Sequence, residues 1–166
     1  LFTSTADTTP PSAPGVPTAT SITGTTATIS WSAATDDVGV TGYSYQLNGG
    51  AWSAFAGPLS ANLTGLTNGT YYTVGVRAHD AANNIGATAT GSFTTLDTAP
   101  PTAPGTPTAS NITGTSASVS WTAATDNVGV TGYSYQVNGG AWSAFSGALS
   151  VNLAGLASAT GYTVSV

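Results

Sequence analysis

Apolar and polar residues alternate with a period of two along several short segments of this chain, and no segment shows a helical period. In residues 27–31, for example, Ala27, Ile29 and Trp31 are separated by a threonine and a serine. Such alternation places the apolar side chains on one face of a β-strand, which is half-buried when that face meets a core. The triplet Asn48-Gly49-Gly50 follows one of these segments and is a strong hairpin signal.

Up to residue 93, the alternation and the turn residues between segments predict seven strands. They lie around residues 18–20, 27–31, 43–47, 51–55, 59–66, 72–76 and 87–93. The segment 51–55 is expected to be the strand that returns from the hairpin. Seven short strands with turns between them and no helix are typical of an all-β Greek-key sandwich.

The chain repeats itself at an offset of 90 residues, so that Trp31 returns as Trp121. An Asp-Thr-x-Pro-Pro junction, whose paired prolines prevent strand pairing, precedes each copy. We therefore expect two tandem sandwiches, 7–97 and 98–166, the second lacking its last strand in this chain. Residues 1–6 resemble the end of the first copy and are predicted to be the last-strand segment of a preceding repeat.

Charged residues make up only 4% of the chain, and the net charge of −5 includes one cation, Arg77. Nucleic acids and anionic membranes bind basic surfaces, so neither is an expected partner. No apolar run approaches the roughly 18 residues of a membrane span, and membrane insertion is not predicted. A surface of hydroxyls and amides is typical of secreted sandwiches, which predicts an extracellular or cell-surface location.

Three residues, Trp31, Leu66 and Tyr72, resemble the core tryptophan and the tyrosine corner of the fibronectin type III family. The second copy repeats them as Trp121, Leu156 and Tyr162. The phrase at 35–43, Thr-Asp-Asp-Val-Gly-Val-Thr-Gly-Tyr, is similar to bacterial members, which occur in tandem in secreted chitinases, other polysaccharide-degrading enzymes and large surface proteins. The resemblance implies immunoglobulin-like sandwiches. The predicted core residues are Trp31, Tyr43, Tyr45, Leu66 and Tyr72, with Trp121, Tyr133, Tyr135, Leu156 and Tyr162.

All six acidic residues are aspartates, confined to the junctions and to two kinds of loop that the resemblance brings to one pole of each domain. Clustered oxygen ligands with almost no cation nearby suit Ca²⁺, which takes six to eight oxygens. The candidate ligands are Asp7, Asp36, Asp37, Asp80 and Asn83 in the first copy, and Asp97, Asp126 and Asn127 at the second junction. The alternative is that these aspartates cap turns through their own backbone and that Arg77 pairs with one of them. No other cofactor is predicted.

Large aromatic residues follow the hairpin in both copies, as Trp52 and Phe55 and then as Trp142 and Phe145. A planar ring on a flat, hydroxyl-rich face would stack on a sugar, which makes carbohydrate a candidate partner. The alternative is that these rings cover the open end of the core, because single exposed aromatics need no special explanation.

Catalysis is not predicted, because cysteine and glutamate are absent and the one histidine, His79, has no counterpart in the second copy. A Ser–His–Asp triad using His79 and Asp80 would need an oxyanion site, and no motif suggests one. Asp36 and Asp37 are neighbours, so their side chains diverge and are poorly placed as an acid/base pair.

The sequence therefore predicts a non-catalytic structural module of an extracellular tandem-repeat protein, forming a stalk, adhesin or filament. Its expected partners are copies of itself or neighbouring repeats. Two interpretations of the chain ends are open. In one, the sequence is a window on a longer tandem-repeat protein. In the other, residues 1–5 of one chain complete the second domain of the next chain by strand addition, which gives a head-to-tail filament. The alternative function is a spacer or weak carbohydrate-binding accessory region of a secreted polysaccharide-degrading enzyme.

Overall fold

The computed structural model describes residues 6–166, and every regular element in that range is a β-strand. The chain divides into two compact units, Leu1–Thr98 and Ala99–Val166. The predicted all-β class is confirmed. Most of the predicted last-strand segment 1–6, namely residues 1–5, lies outside the described residues.

The first unit consists of two antiparallel sheets of three strands each. One sheet has the order β1-β2-β4, and the other has the order β3-β5-β6. Because β2 and β4 share one sheet while β3 lies in the other, the chain crosses between the layers as a Greek-key sandwich requires. The strands are β1 (Thr18–Thr20), β2 (Ala27–Ser30), β3 (Val40–Leu47), β4 (Ser60–Leu63), β5 (Tyr71–Asp80) and β6 (Ala89–Thr94).

The core of this unit is built from the alternating apolar positions of both sheets. Ile29 of β2 and Val76 of β5 are fully buried, and burial of each contributes about 1.5–3 kcal/mol to stability. Trp31 is buried at the end of β2, with its ring centroid 5.9 Å from that of Tyr43. The hydroxyl of Tyr43 accepts a hydrogen bond from the Ala34 backbone N–H at 3.0 Å. Of the other predicted core residues, Leu66 is buried, whereas Tyr45 and Tyr72 are half-buried against this cluster.

The hairpin turn after β3 has the backbone conformation that its sequence predicts. Asn48 and Gly49 both have positive φ angles, 49° and 68°, as a type I′ turn requires. The Asn48 side chain also accepts a hydrogen bond from the Thr73 backbone N–H at 2.8 Å, which ties the turn to β5.

The predicted fourth strand, residues 51–55, is not a strand in the structure. The segment follows β3, since Ser53 N–H donates to the Tyr45 carbonyl at 2.8 Å and Tyr43 forms an isolated bridge with Ala56. Between these contacts, Tyr45 N–H donates to the Ser53 hydroxyl at 3.0 Å and not to a carbonyl. Because a side chain takes the place of a ladder carbonyl, the expected ladder is not formed. Ser143 accepts from Tyr135 N–H in the same way in the second copy.

The second unit contains β7 (Thr108–Ser110), β8 (Ser116–Ser120), β9 (Gln136–Val137), β10 (Ser150–Ala154) and β11 (Val164–Ser165). Their order is β10-β8-β7 in one sheet and β11-β9 in the other. Trp121 and Val119 are buried here, and the Trp121 ring centroid lies 6.2 Å from that of Tyr133. The other predicted core residues, Tyr133, Tyr135, Leu156 and Tyr162, are half-buried. Tyr135 and Tyr162 match the half-buried Tyr45 and Tyr72 of the first unit, whereas Tyr133 and Leu156 are less buried than Tyr43 and Leu66.

None of the described residues forms a helix with the length and apolar character needed to cross a membrane.

Candidate functional site

Three carboxylates meet at one end of the first unit. Asp7, Asp36 and Asp37 each contribute an oxygen, and these oxygens lie within 4.8 Å of one another. Asp7 belongs to the proline-rich segment before β1, and the other two belong to the loop after β2. Ser12 and Thr35 hold the two segments together, because Ser12 N–H donates to the Thr35 carbonyl at 2.8 Å and Thr35 N–H donates to the Ser12 hydroxyl at 2.9 Å.

Two of these carboxylates have one oxygen bound to the backbone and one buried oxygen without a partner. Asp36 Oδ2 accepts hydrogen bonds from Val38 N–H at 3.1 Å and from Gly39 N–H at 2.8 Å. Asp7 Oδ1 accepts from Thr9 N–H at 2.9 Å. The remaining oxygens, Asp36 Oδ1 and Asp7 Oδ2, are buried and receive no hydrogen bond. The turn-capping alternative therefore accounts for only half of each carboxylate.

Asp80 lies beside this group but is bound by its own loop. Its side chain is buried, and both oxygens accept hydrogen bonds from Asn84, at 2.9 Å from the backbone N–H and at 2.7 Å from the side-chain amide. Burial raises the pKa of Asp80, but hydrogen bonds from the Asn84 side chain and backbone and from the Ala82 backbone outweigh it and hold the pKa below its usual value. The partner of Asp80 is thus Asn84, whereas the predicted ligand Asn83 is exposed with a φ of 68°.

At the second junction, Asp97 belongs to the first unit, and Asp126 and Asn127 belong to the second. Asp126 repeats the turn of Asp36, since its Oδ1 accepts from Val128 N–H and Gly129 N–H, both at 2.9 Å. The hydrogen bonds from Gly129 and Val128 lower the pKa of Asp126 in spite of burial. Asn127 is exposed.

The predicted surface aromatics differ between the two units. Trp52 is half-buried and Phe55 is 39% exposed, whereas Trp142 is 53% and Phe145 is 79% exposed. In the first unit the Arg77 guanidinium carbon lies 4.0 Å from the centroid of the Trp52 ring, and the His79 ring centroid lies 3.6 Å from that of Phe55.

The expectation that Arg77 pairs with an aspartate is wrong for the part of the chain that the structure describes. The guanidinium stacks on Trp52 and its Nε donates to the Ser44 hydroxyl at 3.1 Å. Arg77 and His79 also lie beside these aromatic residues, which the sequence alone did not indicate. In β5, Arg77 and His79 alternate with the buried Val76 and Ala78. This alternation places Arg77 and His79 on the outer face of the sheet and could have been recognised in the sequence.

His79 does not form a catalytic triad with Asp80. Successive residues of a strand point to opposite faces, so the Asp80 carboxylate is buried while the His79 ring contacts Phe55 on the outside. The His79 ring also lies 3.3 Å from the Thr41 hydroxyl, through Nδ1.

Residues 12–92 match the family model described as "Fibronectin type III domain". This match covers the first sandwich with its buried tryptophan and its tyrosine corner, and the second unit repeats the same sequence. Residues 12–92 belong to the fibronectin type III family.

The chain is also similar to parts of bacterial enzymes. It is 42% identical over 166 aligned residues to "Chitinase A1" of Niallia circulans, covering 96% of this chain and 24% of that protein. It is 41% identical to "Exoglucanase B" of Cellulomonas fimi, covering 99% of this chain and 16% of that protein. "Endoglucanase B" of Cellulomonas fimi is 38% identical, with 89% and 15% covered. The chain thus spans a quarter or less of the length of these relatives.

Proposed function

We propose that this chain is a non-catalytic spacer or accessory region of a secreted polysaccharide-degrading enzyme. The observation that carries this proposal is the alignment of almost the whole chain with a minor part of a chitinase and of two cellulases. Chitin and cellulose are insoluble polymers outside the cell, so enzymes acting on them work there, which supports an extracellular location. The buried Asp80 carboxylate, turned away from His79, fits a role without turnover.

The purified chain should release no sugar from chitin, cellulose or chromogenic oligosaccharides of either, while a chitinase or cellulase assayed beside it does. Co-sedimentation with insoluble chitin and cellulose measures any accessory binding in the same samples. Turnover that survives repurification of the chain would overturn the non-catalytic proposal.

The stalk, adhesin or filament reading remains the second candidate, with copies of the chain as partners. The repeat of the sequence at an offset of 90 residues favours it, because a fibre is built by repetition of one unit. Its strand-addition form depends on residues 1–5, which lie outside the described residues. Electron microscopy and light scattering of the purified chain separate the two candidates: fibres support the filament, and a monodisperse monomer supports the spacer.

We also propose that Asp7, Asp36 and Asp37 bind Ca²⁺ and stiffen the segment that leads into the first sandwich. Support comes from the two buried oxygens, Asp36 Oδ1 and Asp7 Oδ2, that no donor reaches. Buried anionic oxygens are costly unless a cation or donor compensates them. The only cation of the chain, Arg77, is engaged with Trp52 elsewhere. Oxygen-only ligands favour Ca²⁺ over transition metals.

Calorimetric titration of the full chain with CaCl₂ after EDTA treatment tests this site. Asp36→Asn keeps an oxygen that accepts from Val38 and Gly39 while removing the charge, so it should weaken binding without opening the loop. Asp126→Asn makes the same change in the second unit and is the matched control, which should leave the first-unit binding event unaltered. No heat and no change in thermal midpoint at millimolar Ca²⁺ would reject the site.

A further inference from the structure

Four side chains of the first unit form a cluster on the outer face of the β3-β5-β6 sheet, here called the Trp52–Arg77 cluster: Trp52, Phe55, Arg77 and His79. The guanidinium carbon of Arg77 lies 4.0 Å from the Trp52 ring centroid and 5.7 Å from that of Phe55. The Phe55 and His79 ring centroids are 3.6 Å apart. The cluster therefore combines a fixed positive charge with aromatic surface.

The close approach of these side chains depends on the small residues beneath them. Ser44 is the register partner of Arg77 and is buried under it, while Gly42 is the partner of His79. A Cβ on Gly42 would lie 2.8 Å from the His79 ring nitrogen Nε2, so glycine lets that ring lie close to β3. These small residues therefore let the larger side chains lie close to the sheet.

The guanidinium retains most of its hydrogen-bonding capacity. Arginine has five N–H donors, and Arg77 uses Nε for Ser44 at 3.1 Å. Among residues 6–166 its other contacts are with the rings of Trp52 and Phe55, and it forms no ion pair there. The Nη groups are left for a ligand, and a guanidinium positioned over an indole and bound by Ser44 is pre-organised to bind a carboxylate with two parallel hydrogen bonds.

The surroundings indicate what carries that carboxylate. The outer face continues as a flat, polar surface around Gly75, formed by Gln46, Thr73, Thr90 and Ser92. Phe55 is 39% exposed and offers a ring on which a sugar can stack, whereas the Trp52 face is already covered by Arg77. A neutral sugar would leave the guanidinium unused, whereas the carboxylate of a single sugar unit matches its planar fork.

We propose that the Trp52–Arg77 cluster binds a uronic acid unit of an acidic polysaccharide, with Arg77 on the carboxylate and Phe55 against the sugar ring. This inference rests on the proposed role in polysaccharide degradation and specifies the ligand of that accessory region. Trp142 and Phe145 of the second unit are exposed and provide positions for control substitutions in the same chain.

The test uses trigalacturonic acid and its fully methyl-esterified form, which has a similar shape but no charge. Binding to the full chain is followed by NMR at the Arg77 Nε–H and the Trp52 indole N–H. The acid is expected to shift both signals, and the ester is expected to bind at least about tenfold more weakly, because hydrogen bonds between charged groups are lost. Trp142→Ala is the control and should leave binding unchanged.

Two variants locate the effect. Arg77→Gln should weaken binding of the acid at least about tenfold, and Arg77→Lys, which keeps the charge but lacks the fork, should also weaken it. If the glutamine variant fails to fold, the affinity of the lysine variant for the acid tests the role of Arg77. Equal binding of acid and ester, or no binding of either, would overturn this inference. The proposed accessory function would stand in that case, since it fails only on turnover or fibre formation.

Discussion

Phe93 of β6 stacks on Tyr72 of β5, with ring centroids 5.5 Å apart and ring planes 18° from parallel. The two residues are register partners in neighbouring strands. Tyr72 also forms the tyrosine corner, since its hydroxyl accepts a hydrogen bond from Thr67 N–H at 2.8 Å. The Phe93 contact therefore packs against the tyrosine corner of the first sandwich.

Replacing Phe93 by alanine should destabilise the first unit by about 3–5 kcal/mol, because it removes a buried ring and leaves a cavity against Tyr72. Urea unfolding of the full chain, followed by circular dichroism, measures the change. Phe145→Ala removes a ring that is 79% exposed and should change stability by no more than about 0.5 kcal/mol. Similar costs for both variants would contradict the placement of Phe93 in the core.

Tyr72→Phe should cost about 0.5–1.5 kcal/mol, the net value of one hydrogen bond, with the ring still stacked on Phe93. The backbone amide of Thr67 should then exchange with solvent faster, which hydrogen-exchange NMR detects at that residue. Tyr71→Phe is the neighbouring control, because Tyr71 is 60% exposed. If Thr67 exchanges equally fast in both variants, the tyrosine corner does not protect it.

Gly91→Ala should destabilise the first unit by about 1–3 kcal/mol, because a Cβ there would collide with the carbonyl oxygen of Pro17. The loss of stability is a steric effect. Pro17 precedes β1 and packs directly over β6, so there is no room for a side chain at Gly91. Gly57→Ala, where a Cβ meets nothing within 4 Å, is the matched control and should be close to neutral. Thermal unfolding of both variants compares them, and equal midpoints would show that Pro17 does not pack over β6.

Stability should fall in acid partly through Asp80. Its pKa is lowered in the folded state, so it stabilises the fold above the ordinary aspartate value of 3.8. That contribution is lost as the pH falls from this value through the folded pKa, because the unfolded chain takes up the proton more readily. Asp80→Asn should therefore show a shallower decline in stability than the wild type between about pH 5 and pH 2 in urea titrations. Parallel curves would mean that the Asn84 hydrogen bonds do not favour the charged form.

Strand periodicity was readable from the chain because each strand buries one face. The alternation around Ile29, Trp31 and Val76 follows directly from that requirement. The segment 51–55 shows the limit, since its pattern is strand-like and only the Ser53 hydroxyl, placed against Tyr45 N–H, removes the ladder.

The sequence indicated which residue types form the candidate sites, but not which residues contact one another there. Clustered aspartates near the junction pointed to one pole, yet the sequence does not show that Asn84 and not Asn83 binds Asp80. Asn83 has a positive φ and is exposed, whereas the side chain of Asn84 reaches Asp80.

By itself, the sequence determined the all-β class, the repeat at 90 residues and the family, because these depend on local alternation, turn residues and self-similarity along the chain. Only the tertiary structure decided that Arg77 lies on Trp52, and that three carboxylates from two distant segments share one end of the first unit. Those relationships join residues far apart in the chain, and strand pairing and hydrogen bonds between distant segments, which no short segment encodes, bring them together.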